Sequence, residues 1–470
     1  MGFTIFNGVF LGKDFLKILI LSEEFMKKSI LYTVFFLFVG MSLLFAGGGG
    51  QQAASSGGKI NLTFWHGLGG SNGEAINFLV EQFNQSQDRI TVEPQFQGTY
   101  EESINKLRTV MRTRSGPDVV QIYEGGTRFM ADSGFIVPAQ NLIDEYKIDI
   151  SNLEKNILAY YTVNGKINSL PFNTSLLLMY YNKTLLTQMG YPNGPSDWAE
   201  LKEIALRVVN MRNPNIPYGY AQYSDPWVLE QIMNMARVPL VDNNNGRNGP
   251  PTRCVLDQNE LPVQILRAWL DLKTSGAMAD LGFQSADTNA AFTAGLAAIT
   301  SASTSQVRGF LNAIGDKFEM GTCFFPPLNK SMPNGGVTLG GASLYVLDNG
   351  KGKNVEAAVV EFMKYMISPE TQATWHVRTG YYPITTEAYK FEAVQENLRR
   401  FPQFQTAIDA LHFSTNMGFG PIYGSFVEGR ATYRQHIEEM LMGQITPEEA
   451  IRRSVEGVNT LITNYNRANR

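Results

Sequence analysis

Hydrogen-bonding side chains gather in this sequence where apolar runs end. Tyr100 opens the stretch at 99–113, and Glu124 follows the run at 117–123. Asn173, Thr174 and Ser175 interrupt "SLPFNTSLLLMYYNK" at 169–183, between two strand-forming runs. Ser303 closes "AAFTAGLAAITSAST" at 290–304. Gly340 and Gly341 head "GGASLYV", and Tyr381 and Tyr382 sit in "TGYYP". Hydroxyls, an amide and a carboxylate, with a diglycine that admits a close backbone, suit a small oxygen-rich molecule, uncharged to anionic.

The same residues offer little to catalysis. His66, His376, His412 and His436 are scattered, and none stands beside a nucleophile motif. "GGAS" lacks the closing glycine of a nucleophile elbow. Glu101 and Glu102 are adjacent on a predicted helix, so they point about 100° apart and read as a solvated face. The glycine-rich loops at 67–73 and 125–126 lack the Lys-Ser/Thr of a nucleotide cradle. The histidines and two cysteines have no metal-ligand spacing. The expectation is no catalytic residue, no metal and no cofactor. Two rival readings stay open: an exported enzyme acting on carbohydrate or phosphoester through Glu124 and a second carboxylate, and a surface adhesin or chemoreceptor ligand module.

The elements that would carry these residues alternate. "KINLTFWHG" (59–67), "ITVEPQFQ" (90–97) and "PDVVQIY" (117–123) read as strands, the last apolar enough for burial on both faces. Between them lie helical patterns, one with Ala75, Phe78, Leu79 and Phe83 on one face, the other capped by Thr99 with Glu102 three residues on. Strand–helix alternation predicts an α/β layer with a mainly parallel sheet, whose ligands bind beyond the carboxyl ends of the strands. The later chain continues with helices at 198–211, 262–276 and 355–367 and a strand at 338–347. A second capping box is predicted at Thr446 and Glu449.

The 470 residues are 44% hydrophobic and 17% charged, enough for large cores. A net charge of −4 without a dense basic patch argues against nucleic acid as a partner. Met26-Lys27-Lys28 precedes an apolar run from Ile30 to Phe45, then Ala46 and a Gly/Gln/Ser spacer. That layout predicts a signal peptide at 26–46 with cleavage near Ala46, a spacer at 47–58, and a non-native upstream extension at 1–25. A retained anchor is the alternative. No cysteine lies near the cleavage region, so a lipid-anchored one is excluded. Export would allow Cys254 and Cys323 to pair, and their contexts leave pairing open.

Eight strings in order, "FWHG", "TYEES", "QIYEGGT", "LPFNTSLLLMYYNK", "SDWAELKEIA", "GGASLYV", "WHVRTGYYPIT" and "GQITPEEAI", carry a resemblance. The chain resembles the periplasmic solute-binding proteins of ABC importers, in the group with maltose- and glycerol-3-phosphate-binding members. The resemblance covers nearly all of 59–465. It implies a two-lobe α/β fold of the type II periplasmic-binding class, each lobe a sheet flanked by helices, with three hinge crossings. Lobe 1 would be 59–172 and 327–379, and lobe 2 178–324 and 384–470. The crossings would fall near 172–178, 324–327 and 379–384. The implied protein is a periplasmic monomer that closes on a small polyol phosphate or sugar and docks on the permease subunits.

The resemblance also implies site roles. Tyr100 and Glu124 would meet the ligand from the first lobe, with Ser175, Ser303, Gly341 and Tyr381 around it. Trp198, opening a helix, would cover the ligand's carbon face, with Asn173 and Trp227 as neighbours. One departure matters. Where glycerol-3-phosphate binders carry a phosphate-anchoring arginine, this chain reads "GPIYGS" at 420–425, with Ile422 or Tyr423 at the position. Tyr423 would there offer an aromatic face to a sugar, and Arg308, Arg378 or Arg430 would be the substitute cations.

Overall fold

The computed structural model describes residues 59–469; the expected upstream extension, leader and spacer lie outside the described residues. Within them the strands are β1 (Ile60–His66), β2 (Ile90–Phe96), β3 (Val119–Tyr123), β4 (Ile136–Val137), β5 (Thr162–Val163), β6 (Lys166–Ile167), β7 (Leu170–Ser175), β8 (Leu177–Asn182), β9 (Tyr218–Ala221), β10 (Ala297–Ser303), β11 (Met320–Phe324) and β12 (Gly340–Leu347). They form two main sheets, one for each lobe. The first has the order β2-β1-β3-β12-β4, with β7 also paired to β12; the second has the order β11-β8-β10-β9. β5 and β6 make a small separate hairpin.

β1, β2 and β3 are parallel, as their intervening helices require. The sheets as a whole are mixed, not mainly parallel. β12 runs against β3, β4 and β7, and β8 runs against β10 and β11. The cause is the way the chain changes lobe. Strands β3, β7 and β10 end toward the space between the sheets with Tyr123, Ser175 and Ser303, while β8 and β12 begin there. A strand that enters from the cleft must run against strands that end at it.

The first lobe-to-lobe passage is a single residue, Leu176, between β7 and β8. It is held by an exchange of hydrogen bonds: Leu176 N–H donates to Thr304 Oγ1 at 3.2 Å, and Thr304 N–H donates to the Leu176 carbonyl at 2.8 Å. β3 and β8 are buried on both faces, and their sequences are apolar but for Gln121 and Asn182. In the first lobe Phe362 of the helix Lys353–Met366 packs edge-on against Phe64 and Phe83, with ring centroids 5.6 and 5.2 Å away. Cys254 and Cys323 are separate free thiols. Burial pushes them up to about 11 and about 12.

Candidate functional site

Between the two sheets lies a cleft of about 400 Å³, and the strand ends identified in the sequence converge on it. Tyr100, Glu124, Ser175, Trp227, Ser303, Gly341 and Tyr381 line it, joined by Gly340, Tyr123, Tyr223, Asp225, Arg430 and Arg434.

Tyr100 is placed by its helix start. Thr99 Oγ1 accepts from Glu102 N–H at 3.2 Å and Glu102 Oε2 accepts from Thr99 N–H at 2.7 Å, the reciprocal cap that the sequence predicts. The Tyr100 ring then stacks on Tyr123, with centroids 5.3 Å apart and planes 7° from parallel. Asn173 does not line the cleft. It is fully buried behind Tyr100 and donates from Nδ2 to the Tyr100 hydroxyl at 3.0 Å. Its Oδ1 accepts from Gln121 Nε2 at 2.8 Å, and Gln121 Oε1 accepts from Gly67 N–H at 2.9 Å. Asn173 is therefore oriented from behind, and the Tyr100 oxygen already has a donor. Burial raises the phenols of Tyr100 and Tyr381, so both are neutral hydroxyl donors at neutral pH.

The diglycine does two different jobs. Gly341 has φ +82°, and a Cβ there would lie 2.1 Å from the Asn173 carbonyl oxygen, so only glycine fits where β12 pairs with β7. A Cβ on Gly340 would strike the Trp227 ring at 2.5 Å; the missing side chain lets that indole lie against the backbone. Asp225 Oδ1 caps the helix Pro226–Met235 by accepting from Trp227 N–H at 3.0 Å, and its Oδ2 accepts from the Tyr223 hydroxyl at 2.5 Å. Ser303 Oγ accepts from Ser305 N–H at 3.2 Å. Tyr381 stacks on Trp375 at 5.3 Å, and a Cβ on the preceding Gly380 would touch the Thr304 carbonyl at 2.3 Å. That close approach brings Tyr381 beside the end of β10.

Trp198 needs correction. It opens the helix Trp198–Asn210 as expected, but its side chain is 4% exposed, sits in the hydrophobic core and does not line the cleft. Its backbone N–H donates to the Pro327 carbonyl at 3.2 Å. Trp227 is the tryptophan of the cleft wall. Tyr423 and Ile422 also face the core, at 1% and 2% exposure, so neither offers a surface to a ligand. Thr174 and Tyr382, in the same sequence clusters, are buried too.

The candidate substitute cations separate. Arg308 lies over Phe401 and Phe404, 4.6 and 4.8 Å from the centroids, and donates to Asn397 and Val377. Arg378 stacks over Phe78 at 3.5 Å. Only Arg430 enters the cleft. Its Nη1 donates to Glu124 Oε1 at 2.7 Å, its Nη2 to Glu230 Oε2 at 2.6 Å and its Nε to Glu230 Oε1 at 2.8 Å. Burial opposes the Arg430 charge, but the two carboxylates outweigh it and hold the guanidinium firmly protonated. Burial pushes Glu124 up to about 7 despite Arg430, and raises Glu230 as well. One turn on, Arg434 is exposed at the cleft, with no ion pair among the described residues.

Sequence reasoning missed Tyr123, Tyr223, Asp225, Glu230 and Arg434. Arg430 and Arg434, four apart on one helix, were the available signal for that wall. The lining contains no histidine and no cysteine. What it can do is hold oxygen atoms with hydroxyls and cover carbon with aromatic rings.

The profile of the bacterial extracellular solute-binding protein family matches residues 79–402. The chain belongs to that family, and its function is solute binding. It is 30% identical over 420 residues to the sn-glycerol-3-phosphate-binding periplasmic protein UgpB of Yersinia pseudotuberculosis, covering 87% of this chain and 94% of that one. Among solved structures, UgpB from Mycobacterium tuberculosis in complex with glycerophosphocholine superposes with a TM-score of 0.72 at 19% identity, over 87% of this chain and all of that one (100%). The GacH receptor of Streptomyces glaucescens, solved unliganded and with acarbose, superposes at 0.71 and 22% identity, over 86% and 99% of the two chains. These likenesses establish the two-lobe fold.

Proposed function

We propose that this protein is the substrate-binding component of an ABC importer. It captures a small hydroxylated solute, glycerophosphodiester-like or sugar, and delivers it to membrane permease subunits. The observation that carries this reading is the convergence of Tyr100, Ser175, Ser303, Gly341 and Tyr381, from both sheets and their crossings, on one cleft walled by Trp227. The named ligands of similar proteins, glycerol-3-phosphate, glycerophosphocholine and acarbose, are all rich in oxygen.

Closure in this reading rests on a ligand bridging the two lobes. A ligand touching Tyr100 of the first lobe and Ser303 of the second binds the closed state better than the open one, and that difference drives the swing. The hinge in this reading is Leu176 with Thr304, the linker between β11 and β12, and the stretch around Gly380. The protein acts as a monomer, exported by the 26–46 leader, and turns nothing over. Calorimetry against glycerophosphocholine, glycerol-3-phosphate, maltose and related sugars, with small-angle scattering for compaction, tests it. Saturable binding with a fall in radius of gyration supports the reading; failure of every polyol, sugar and phosphoester to bind refutes it, as does turnover of a bound ester.

A further inference from the structure

We propose that Glu230 decides the charge of the ligand. By holding Arg430 with both carboxylate oxygens it withholds the cleft's guanidinium from phosphomonoesters, and the cleft takes a hydroxylated solute with no net negative charge, a neutral sugar or a zwitterionic phosphodiester. The proposal rests on the cleft being the ligand site.

A phosphomonoester dianion is held well only by charge-assisted bonds, best from a guanidinium presenting two parallel N–H groups. Arg430 is partly buried, 17% exposed at its side chain, and lines the cleft, so it is the obvious donor. Its Nε and Nη2, the edge that would make the parallel pair, both face Glu230 at 2.8 and 2.6 Å, and Nη1 faces Glu124 at 2.7 Å. Glu230 is 1% exposed, reaches no other cation among the described residues, and lies on the same lobe as Arg430. The pair is thus built into the second lobe and does not depend on closure.

The surrounding charge points the same way. With its groups ionised, the Glu124–Arg430–Glu230 cluster carries two negative charges against one positive. Asp225 and Glu101 at the lining add two more, and Arg434 returns one. A dianion entering would meet net repulsion in a partly dry site, where Coulomb terms are least screened. Arg434 is exposed to water, where an ion pair contributes little. Ile422 and Tyr423 are both sealed in the core and offer the cleft no further polar group.

The test is calorimetry on the full chain with maltose, related neutral sugars, glycerophosphocholine and glycerol-3-phosphate. The expected result is binding of at least one sugar or of glycerophosphocholine, with glycerol-3-phosphate weaker by about 30-fold or more. The sugar and glycerophosphocholine arms distinguish the neutral from the zwitterionic source. Raising salt from about 20 to about 300 mM should leave the preferred ligand's affinity within about twofold. Glu230→Gln should narrow the preference against glycerol-3-phosphate by about tenfold or more, because one face of Arg430 is released. Glycerol-3-phosphate binding as tightly as any other probe overturns the proposal and leaves the cleft reading intact. A salt-sensitive preferred ligand, or an unchanged preference in a folded Glu230→Gln protein, also overturns it. No binding by any probe overturns both. If Glu230→Gln does not fold, the wild-type preference and its salt response decide.

Discussion

Arg430 Nη1 meets Glu124 Oε1 at 2.7 Å, tying the helix Phe426–Leu441 of the second lobe to the turn after β3 in the first. The bond crosses the cleft, so it couples lobe position to protonation. Glu124 faces Arg430, Glu230 and the phenols of Tyr100 and Tyr123. Burial moves its carboxyl from an ordinary 4.5 up to about 7. A raised folded value means the native state binds the proton more tightly than the unfolded chain. The associated stability is present below about 4.5 and is lost as pH rises through about 7. Thermal unfolding between those limits should show the melting temperature falling with pH, and Glu124→Gln should remove that component. A wild-type slope that Glu124→Gln leaves intact would refute the assignment.

The two tryptophans that open helices should behave oppositely. Trp227→Ala removes an aromatic wall of the cleft and should weaken ligand binding by about tenfold to a hundredfold, or ~1.4–3 kcal/mol. Trp198→Ala removes a core side chain and should cost ~3–5 kcal/mol of stability, with affinity nearly unchanged in the molecules that remain folded. Calorimetry and thermal unfolding on both variants check this; equal losses of affinity would contradict the placement.

That pair also shows what the sequence could and could not tell. Trp198 follows Asp197 and Trp227 follows Asp225-Pro226, and both aspartates cap helices. Local signals for the two indoles are nearly the same, and only tertiary packing separates them: Trp198 enters the core and Trp227 lies against Gly340. Tyr100, Glu124, Ser175 and Ser303 were legible because strand ends share an edge in an α/β fold and a capping box fixes where a helix begins. Arg430 was nameable but not placeable, since its helix repeats charged residues around much of its circumference. The antiparallel strands were hidden because strand direction depends on which lobe the chain enters from. At Thr446 the cap is only half reciprocal: Glu449 N–H donates to Thr446 Oγ1 at 3.2 Å, while the Glu449 carboxylate pairs with Arg452 and Arg453.

Gly341→Ala tests the close pairing of β12 with β7. The added methyl would meet the Asn173 carbonyl at 2.1 Å on a backbone with φ +82°, so both space and conformation oppose it. A loss of ~2 kcal/mol or more is expected, roughly the sum of left-handed strain and a forced shift. Chemical denaturation reads it directly, with Gly352→Ala as the comparison: it shares a positive φ but has open space at Cβ. Similar losses at both sites would mean that conformation alone, not the close approach to β7, sets the cost.

Asn173 should act on ligand affinity only through Tyr100. Its Nδ2 donates to the Tyr100 hydroxyl at 3.0 Å and its Oδ1 accepts from Gln121 at 2.8 Å, while the residue itself is closed off from the cleft. Asn173→Ala orphans a buried amide and should cost ~1–3 kcal/mol of stability. It should also weaken binding by about tenfold, because the Tyr100 hydroxyl loses its fixed orientation. Tyr100→Phe removes the hydroxyl outright. If the effect of Asn173 is relayed by that oxygen, the double variant Asn173→Ala/Tyr100→Phe loses no more affinity than Tyr100→Phe alone, a coupling of ~1.4 kcal/mol in the cycle, the whole of the tenfold effect. Additive losses by calorimetry would instead mean that Asn173 meets the ligand directly, which its burial behind the ring does not allow.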